Sequence, residues 1–120
     1  EDPSKNFRPS PGTISSFHMP GGMNIRVDTH VYSGYKVPSN YDSMIAKLIV
    51  HGLTREDAIN KMMAALDEFV IEGINTIIPY HQQILKDSNF KNGDFDTSFI
   101  ENFEYIKDYD NENSWNIKIY

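Results

Sequence analysis

A change of hydrophobic period near Gly52 is the feature that most constrains how this chain folds. Before it, residues 25–32 alternate between apolar and polar side chains, and residues 44–50 form a mostly apolar run, as strands do. After it, apolar side chains recur at the spacing of a helix face: Ile59, Met62, Leu66, Phe69 and Val70. Strands followed by helices predict an α+β domain, a small antiparallel β-sheet with helices packed on it.

The predicted helix has a clear start and end in the sequence. Thr54 is a favourable N-cap, and Asp57 three positions later makes a short version of the capping box. Gly73 is placed to end the helix. Ordering roughly 18 helical residues costs more free energy than burying one apolar face returns, so the helix must share its core with the sheet.

Shorter elements are predicted on both sides of this helix. Ser33-Gly34 reads as a hairpin-type turn that leads into a return strand. The remaining predicted strands cover residues 13–19, 35–37 and 75–78, and the remaining helices cover residues 80–86 and 97–103, the last capped by Thr97. We expect one domain over residues 1–106 and a tail over residues 107–120, whose alternating final residues favour an edge strand.

Composition excludes several classes of function. The 120 residues carry 11 Lys and Arg against 17 Asp and Glu, a formal net charge of −6, which disfavours a nucleic-acid partner. No apolar run is long enough to predict a membrane span. The absence of cysteine excludes disulfides and thiolate metal sites and is compatible with the cytoplasm. The chain begins at Glu1 without an initiator Met, and we expect it to be a piece of a longer protein.

Motifs that carry chemistry by themselves are missing from the sequence. It contains no glycine-rich phosphate-binding motif and no nucleophile elbow. Asp28 and His30 would share one strand face, but a third and fourth metal ligand are not identifiable. Asp94 and Asp96 resemble the start of a calcium loop that no downstream glutamate completes. We therefore expect no metal site and read residues 94–96 as a polar loop.

Two basic residues on predicted strands each allow two interpretations. Lys47 lies in an apolar strand, where its ammonium either pairs with a carboxylate such as Asp42 or meets a substrate or partner. Arg26 lies on the polar face of another strand, where it is either solvated or an interface anchor.

Several motifs in correct order resemble one known family. The segments "DTHVYSGY", "YDSMIAKLIVHG" and "TREDAI" are very similar to the C-terminal part of biotin carboxylases, with Ile25 in place of the usual valine. "EDP" at the start and "HMPGG" at residues 18–22 fit the same pattern, so the resemblance covers about residues 1–103. Residues 18–22 and "DTHVYSGY" are most similar to the biotin carboxylase of bacterial acetyl-CoA carboxylase.

The resemblance implies a ligase that uses ATP and bicarbonate to carboxylate biotin on a carrier protein, as in fatty acid synthesis. It also implies that the ATP-binding residues, the Mg²⁺ ligands and the arginine that contacts biotin all precede Glu1. This chain would then hold no cofactor and no catalytic residue, while the full-length enzyme would use ATP, Mg²⁺ and biotin. A pyruvate or propionyl-CoA carboxylase is the alternative parent, and a stand-alone interaction module is the rival from another class.

The resemblance also assigns roles to individual residues. Met23 and Arg26 match a contact at the biotin carboxylase dimer interface, although a relative has an aromatic residue in place of Met23. Tyr41 and Asp42 match a segment lining the cleft that biotin approaches, and Lys47 is expected to line the same cleft beside them as the structural partner of Asp42. The implied partners are a second copy of the chain, the biotin carboxyl carrier protein and the carboxyltransferase.

Overall fold

The first turn of the helix after Gly52 forms as its sequence predicts. The computed structural model describes residues 1–40 and 42–107 and places helix α1 at Arg55–Glu68. The Thr54 hydroxyl accepts a hydrogen bond from the backbone N–H of Asp57 at 3.1 Å, which confirms the N-cap. The Asp57 carboxylate accepts from the backbone N–H of Leu53 at 3.0 Å and pairs with Lys61 at 3.2 Å. These bonds fix the chain direction between the last strand residues and the helix.

Helix α1 ends earlier than the glycine signal predicts. It stops at Glu68, and the chain continues as strand β6, Val70–Glu72, which pairs antiparallel with strand β2, Ser16–His18. The placement of Val70 in the helix and the stop at Gly73 were therefore wrong. Strand β6 is partly buried and therefore also contains apolar side chains, which extended the apparent helical spacing beyond Glu68. Pairing with β2 determines that these residues form a strand.

Two further antiparallel ribbons complete the strands. Strand β1, Gly12–Thr13, pairs with β4, Lys36–Val37, and strand β3, Ile25–Thr29, pairs with β5, Ala46–Val50. The three ribbons together with the packed helices confirm the predicted α+β class. The turn at Ser33-Gly34 is present, with a backbone bond from Tyr35 N–H to Tyr32 C=O at 3.0 Å. Its return strand pairs with β1 and not with β3, because Val37 is buried beside Ile14.

Three short helices follow β6 within the described residues. They are α2, Ile78–Lys86, α3, Ser88–Asn92, and α4, Phe99–Asn102. Helix α2 confirms the predicted helix over 80–86, but the predicted strand over 75–78 is wrong because α2 already begins at Ile78. Thr97 is not the cap of α4: Ser98 precedes the helix, and its backbone N–H donates to the Asp96 carboxylate at 2.9 Å. The predicted edge strand at the end of the tail lies outside the described residues.

Two apolar clusters form the core. One is built on Ile14, Val31 and Val37 between the short strands, and the other on Ile59, Leu66 and Leu85 between α1, α2 and β5. An edge-to-face contact between Phe17 of β2 and Phe69 at the end of α1 joins strand and helix, with ring centroids 5.8 Å apart. In the described part of the chain, no helix is both long enough and apolar enough to cross a membrane.

Gly73→Ala is predicted to destabilise the domain. The residue has φ +99°, and a Cβ there would lie 2.2 Å from the Thr13 carbonyl oxygen. The left-handed conformation alone costs roughly 1–2 kcal/mol for alanine, so we expect a loss of at least about 2 kcal/mol in urea unfolding. Gly21→Ala is the matched control, because no atom lies within 4 Å of its added methyl group. Equal unfolding midpoints for the two variants would contradict this close approach.

Candidate functional site

The ribbon formed by β3 and β5 has one covered and one open face. Along β3, Ile25, Val27 and Thr29 are partly buried. The strand pairing places Arg26 opposite Ile49 and Asp28 opposite Lys47 on the other face. We call these last four residues, all of them exposed, the ribbon face. Strand β5, which lies within the mostly apolar run over residues 44–50, is therefore only half-buried, because alternate side chains point to the core.

An ion pair organises the ribbon face. The Arg26 guanidinium donates from Nε to Asp28 Oδ1 at 2.8 Å and from Nη2 to Oδ2 at 2.9 Å. The hydrogen bond from Arg26 lowers the pKa of the Asp28 carboxyl, and the nearby charge of Lys47 contributes in the same direction. The Arg26 side chain is still 72% exposed, so the pair adds little stability. Its geometry presents a fixed, accessible cation.

Exposed apolar side chains adjoin the ribbon face. Met23 is 87% exposed at the turn before β3, and Leu53 is 92% exposed just after β5. The two turns lie together, because the backbone N–H of His51 donates to the carbonyl of Asn24 at 3.0 Å. Lys61 of α1 in turn donates to the His51 carbonyl at 3.1 Å. Apolar side chains next to a held arginine are typical of a protein-binding surface.

The structure separates Lys47 from Asp42. The Lys47 side chain lies on the ribbon face opposite Asp28, whereas the Asp42 carboxylate accepts from the backbone N–H of Met44 at 3.0 Å. No ion pair joins Asp42 to Lys47 in the part of the chain that the structure describes, so the expected pairing was wrong. The strand alternation decides this, because Lys47 follows the exposed side of β5. Tyr41 lies outside the described residues.

The chain start contacts two distant loops. The Ser43 hydroxyl donates to the Glu1 carboxylate at 2.7 Å, next to the Asp42 turn. Asp2, which is only 6% exposed, accepts from Asn75 Nδ2 at 3.0 Å, and its other carboxylate oxygen accepts from the Ser4 hydroxyl at 2.6 Å. The bond from the Ser4 hydroxyl lowers the pKa of the Asp2 carboxyl. We call these bonds the N-terminal clasp: Glu1 with Ser43, and Asp2 with Asn75.

The clasp was missed by sequence reasoning. Its partners are 42 and 73 residues apart along the chain, and no local pattern reports such a contact. The sequence contains one partial signal, because Asp2 precedes Pro3 and Ser4, as expected of an N-cap before a short helical turn. That signal predicts the bond to Ser4 but gives no information about Asn75.

The described residues offer little chemistry of their own. A cavity of about 480 Å³ lies between β5, α1 and α2, lined almost entirely by apolar side chains such as Leu48, Leu66 and Ile84. His81 also lines it, and burial lowers the pKa of that imidazole. Within residues 1–40 and 42–107, no group of three or more His, Asp or Glu side chains could hold a metal ion. The ribbon face and the clasp are therefore suited to contacts with other polypeptide.

Comparison with known proteins gives a consistent result. A family profile described as the biotin carboxylase C-terminal domain matches residues 1–102. The sequence is 53% identical over 106 residues to biotin carboxylase 1 of Bacillus subtilis, covering 88% of this chain and 24% of that protein. It is 45% identical over 103 residues to a pyruvate carboxylase subunit of Methanothermobacter thermautotrophicus, covering 86% of this chain and 21% of that protein. The chain thus spans about a quarter of the length of these relatives.

Solved structures show the same similarity in three dimensions. The biotin carboxylase domain of 2-oxoglutarate carboxylase from Hydrogenobacter thermophilus, described as a dimer in complex with MgADP and bicarbonate, matches with a TM-score of 0.84 at 42% identity. This match covers 89% of this chain and 24% of that one. The biotin carboxylase subunit of pyruvate carboxylase matches with a TM-score of 0.84 at 43% identity, covering 89% of this chain and 25% of that one.

The Asp28 carboxyl is predicted to titrate below its ordinary pKa of 3.8 because of the bond from Arg26. In Arg26→Gln the pKa should return towards that value, which NMR of the carboxyl carbon measures directly. The Asp28 pKa is lower in the folded than in the unfolded state. The stabilisation of the fold by the Arg26–Asp28 pair is therefore present above the unfolded-state pKa and is lost as pH falls through the folded-state pKa. Arg55→Gln is the control, since Arg55 packs on Phe90 and Phe95 instead. Identical Asp28 titrations in wild type and Arg26→Gln would disprove the pairing in solution.

Proposed function

Because the chain belongs to the biotin carboxylase C-terminal domain family, we propose that it forms the C-terminal part of an enzyme that carboxylates biotin. The proposed reaction uses ATP and bicarbonate and takes place on biotin attached to its carrier protein. The continuous match over residues 1–102 carries this proposal, since it includes every described element. The agreement in backbone structure over 89% of the chain supports it independently.

In this proposal the chain contributes surfaces, and the residues before Glu1 carry the chemistry. ATP and Mg²⁺ activate bicarbonate, and a fixed array of cations stabilises the anionic species that follow. In this proposal that array lies upstream, in the larger part of the protein that this chain does not span.

The ribbon face and Met23 are the proposed homodimer surface. Arg26 is held by Asp28 and remains exposed, and Met23 beside it is almost completely exposed. The Hydrogenobacter relative is described as a domain dimer, which supports the same assembly here. The structure adds Lys47 and Ile49 to the proposed surface, because both share the open face with Arg26.

The turn at Tyr41 and Asp42 is the proposed border of the cleft that biotin approaches. Asp42 is exposed, and its carboxylate accepts a hydrogen bond from the backbone N–H of Met44. The neighbouring residue Ser43 contacts Glu1, so this turn lies beside the point where the upstream polypeptide would join. The proposed partners at the cleft are the biotin carboxyl carrier protein and, in the next step, the carboxyltransferase.

The proposed parent enzyme is a bacterial-type acetyl-CoA carboxylase, which acts in fatty acid synthesis in the cytoplasm. The similarity of residues 18–22 and of "DTHVYSGY" to the biotin carboxylase of that enzyme supports this assignment. A pyruvate carboxylase is the second candidate, favoured by the identity of 45% to the Methanothermobacter protein. Transfer of labelled carboxyl groups to acetyl-CoA or to pyruvate, with the matching carboxyltransferase, distinguishes the two parents.

The activity is tested by replacement in a relative. The matching C-terminal segment of the Bacillus subtilis biotin carboxylase is exchanged for residues 1–106 of this chain. We expect the hybrid to cleave ATP in a manner that depends on bicarbonate and biotin, measured by phosphate release. Residues 1–120 alone should show no turnover, and the relative without its segment is the negative control. An inactive but folded hybrid, or turnover by residues 1–120 alone at the rate of the intact relative, would reject the proposal.

Arg26→Glu in the intact protein is predicted to weaken dimerisation. The substitution places a second carboxylate beside Asp28 and reverses the only cation that the Arg26–Asp28 pair presents. Sedimentation velocity should show a shift from dimer to monomer. Lys36→Glu makes the same change of charge on strand β4, outside the ribbon face, and should leave the dimer intact. A dimer unaffected by Arg26→Glu would mean that Arg26 is merely solvated.

A further inference from the structure

Asp2 forms hydrogen bonds through its backbone N–H, its carbonyl and both carboxylate oxygens. It is the one charged side chain that is buried among the described residues. Its backbone N–H donates to the Arg8 carbonyl at 2.9 Å, and its carbonyl accepts from Lys5 at 3.1 Å and Phe7 at 2.9 Å. One carboxylate oxygen accepts from Ser4 and the other from Asn75. Both carboxylate oxygens, the backbone N–H and the carbonyl of this buried residue are all hydrogen-bonded. Such complete bonding favours one defined conformation of the chain at Asp2.

The partner of Asp2 is itself held in place. Asn75 lies between β6 and α2, and its backbone N–H donates to the Ser10 hydroxyl at 3.0 Å. A few residues further on, Tyr80 of α2 packs edge-to-face on Phe7, with ring centroids 5.0 Å apart. The N-terminal segment is therefore docked on the same corner of the fold at residues 2, 7 and 10. These contacts hold Asn75 in position to bond Asp2.

Glu1 is held from a different direction. Its carboxylate accepts from the Ser43 hydroxyl, on the loop that follows Tyr41 and Asp42. Consecutive Cα atoms are about 3.8 Å apart, so bonds from residues 1 and 2 to two separate loops restrain the first peptide unit from both sides. Polypeptide joined to Glu1 would therefore begin beside Ser43, next to the Asp42 turn.

We propose that the N-terminal clasp positions the polypeptide that precedes Glu1 against the turn at Asp42, with Asn75 and Ser43 as positioning residues for the proposed reaction. This inference rests on the proposed function, in which catalytic groups lie upstream and biotin approaches at that turn. Positioning errors of about 1 Å can reduce turnover about a hundredfold, so two hydrogen bonds at the junction are sufficient to matter. Neither residue touches the reacting atoms.

The test is a reversal of the Asp2–Asn75 bond in the full-length carboxylase. Asn75→Asp replaces an amide donor by a second carboxylate, and like charges repel at that distance. We expect kcat for biotin carboxylation to fall about ten- to hundredfold, with the KM for ATP unchanged. The double change Asp2→Asn with Asn75→Asp restores one donor and one acceptor, because the new amide oxygen still accepts from Ser4. It should recover most of the lost kcat.

The Glu1–Ser43 bond is tested by a separate substitution in the same full-length protein, together with a control variant. Ser43→Ala removes the donor to Glu1 and should lower kcat about two- to tenfold, the effect of one hydrogen bond. Ser98→Ala is the matched control, because it removes a serine hydroxyl that bonds a carboxylate, that of Asp96, outside the N-terminal clasp. It should leave kcat unchanged. Thermal unfolding of each variant separates lost positioning from lost folding.

Limited proteolysis provides a readout independent of activity. Cleavage just before Glu1, followed by mass spectrometry, should accelerate in Asn75→Asp and Ser43→Ala but not in Ser98→Ala or the double variant. Unchanged cleavage, or a loss of kcat that only follows the loss of folded protein, would overturn the inference. If the wild-type protein carboxylates no biotin, the proposed function fails. The cleavage rates then still decide whether the clasp directs the preceding chain.

Discussion

The antiparallel pairing of β2 with β6 is the interaction on which most of the structure depends. It brings residues 70–72, which follow the long helix, back against residues 16–18 near the chain start. The pairing continues into a close approach at Gly73, where only a residue without a side chain fits beside Thr13. Because the chain must then turn towards α2, Asn75 arrives beside Asp2 and Ser10. The Asp2–Asn75 bond of the clasp therefore depends on this register.

The two proposed surfaces use different residues of the domain. The ribbon of β3 and β5 turns Ile25, Val27 and Thr29 towards the core, so its outer face stays open to a partner. The N-terminal clasp instead forms where the β6–α2 connection meets the chain start and the Ser43 loop. A surface for a second copy of the chain and a junction for upstream polypeptide can therefore operate without competing for the same residues.

The candidate site illustrates which physical information a sequence carries. The alternation of residues 25–29 correctly placed Arg26 and Asp28 on an open strand face, because side-chain direction in a strand is a local property. The expected partnership of Lys47 with Asp42 relied on their short separation in sequence and was wrong. The partner of Lys47 is instead set by the register between two strands, which places Asp28 across from it. Register depends on which strands meet, and that is a tertiary property.

The sequence by itself determined the α+β class, the N-cap at Thr54, the turn at Ser33-Gly34 and, by resemblance, the family. These features depend on interactions within a few residues or on motifs that can be read in order. Only the tertiary structure decided that Val70 leaves the helix, that the return strand joins β1 and that Glu1 and Asp2 are bonded to Ser43 and Asn75. In each case the deciding contact joins residues distant along the chain, whose free energy of pairing or burial outweighs the local preference.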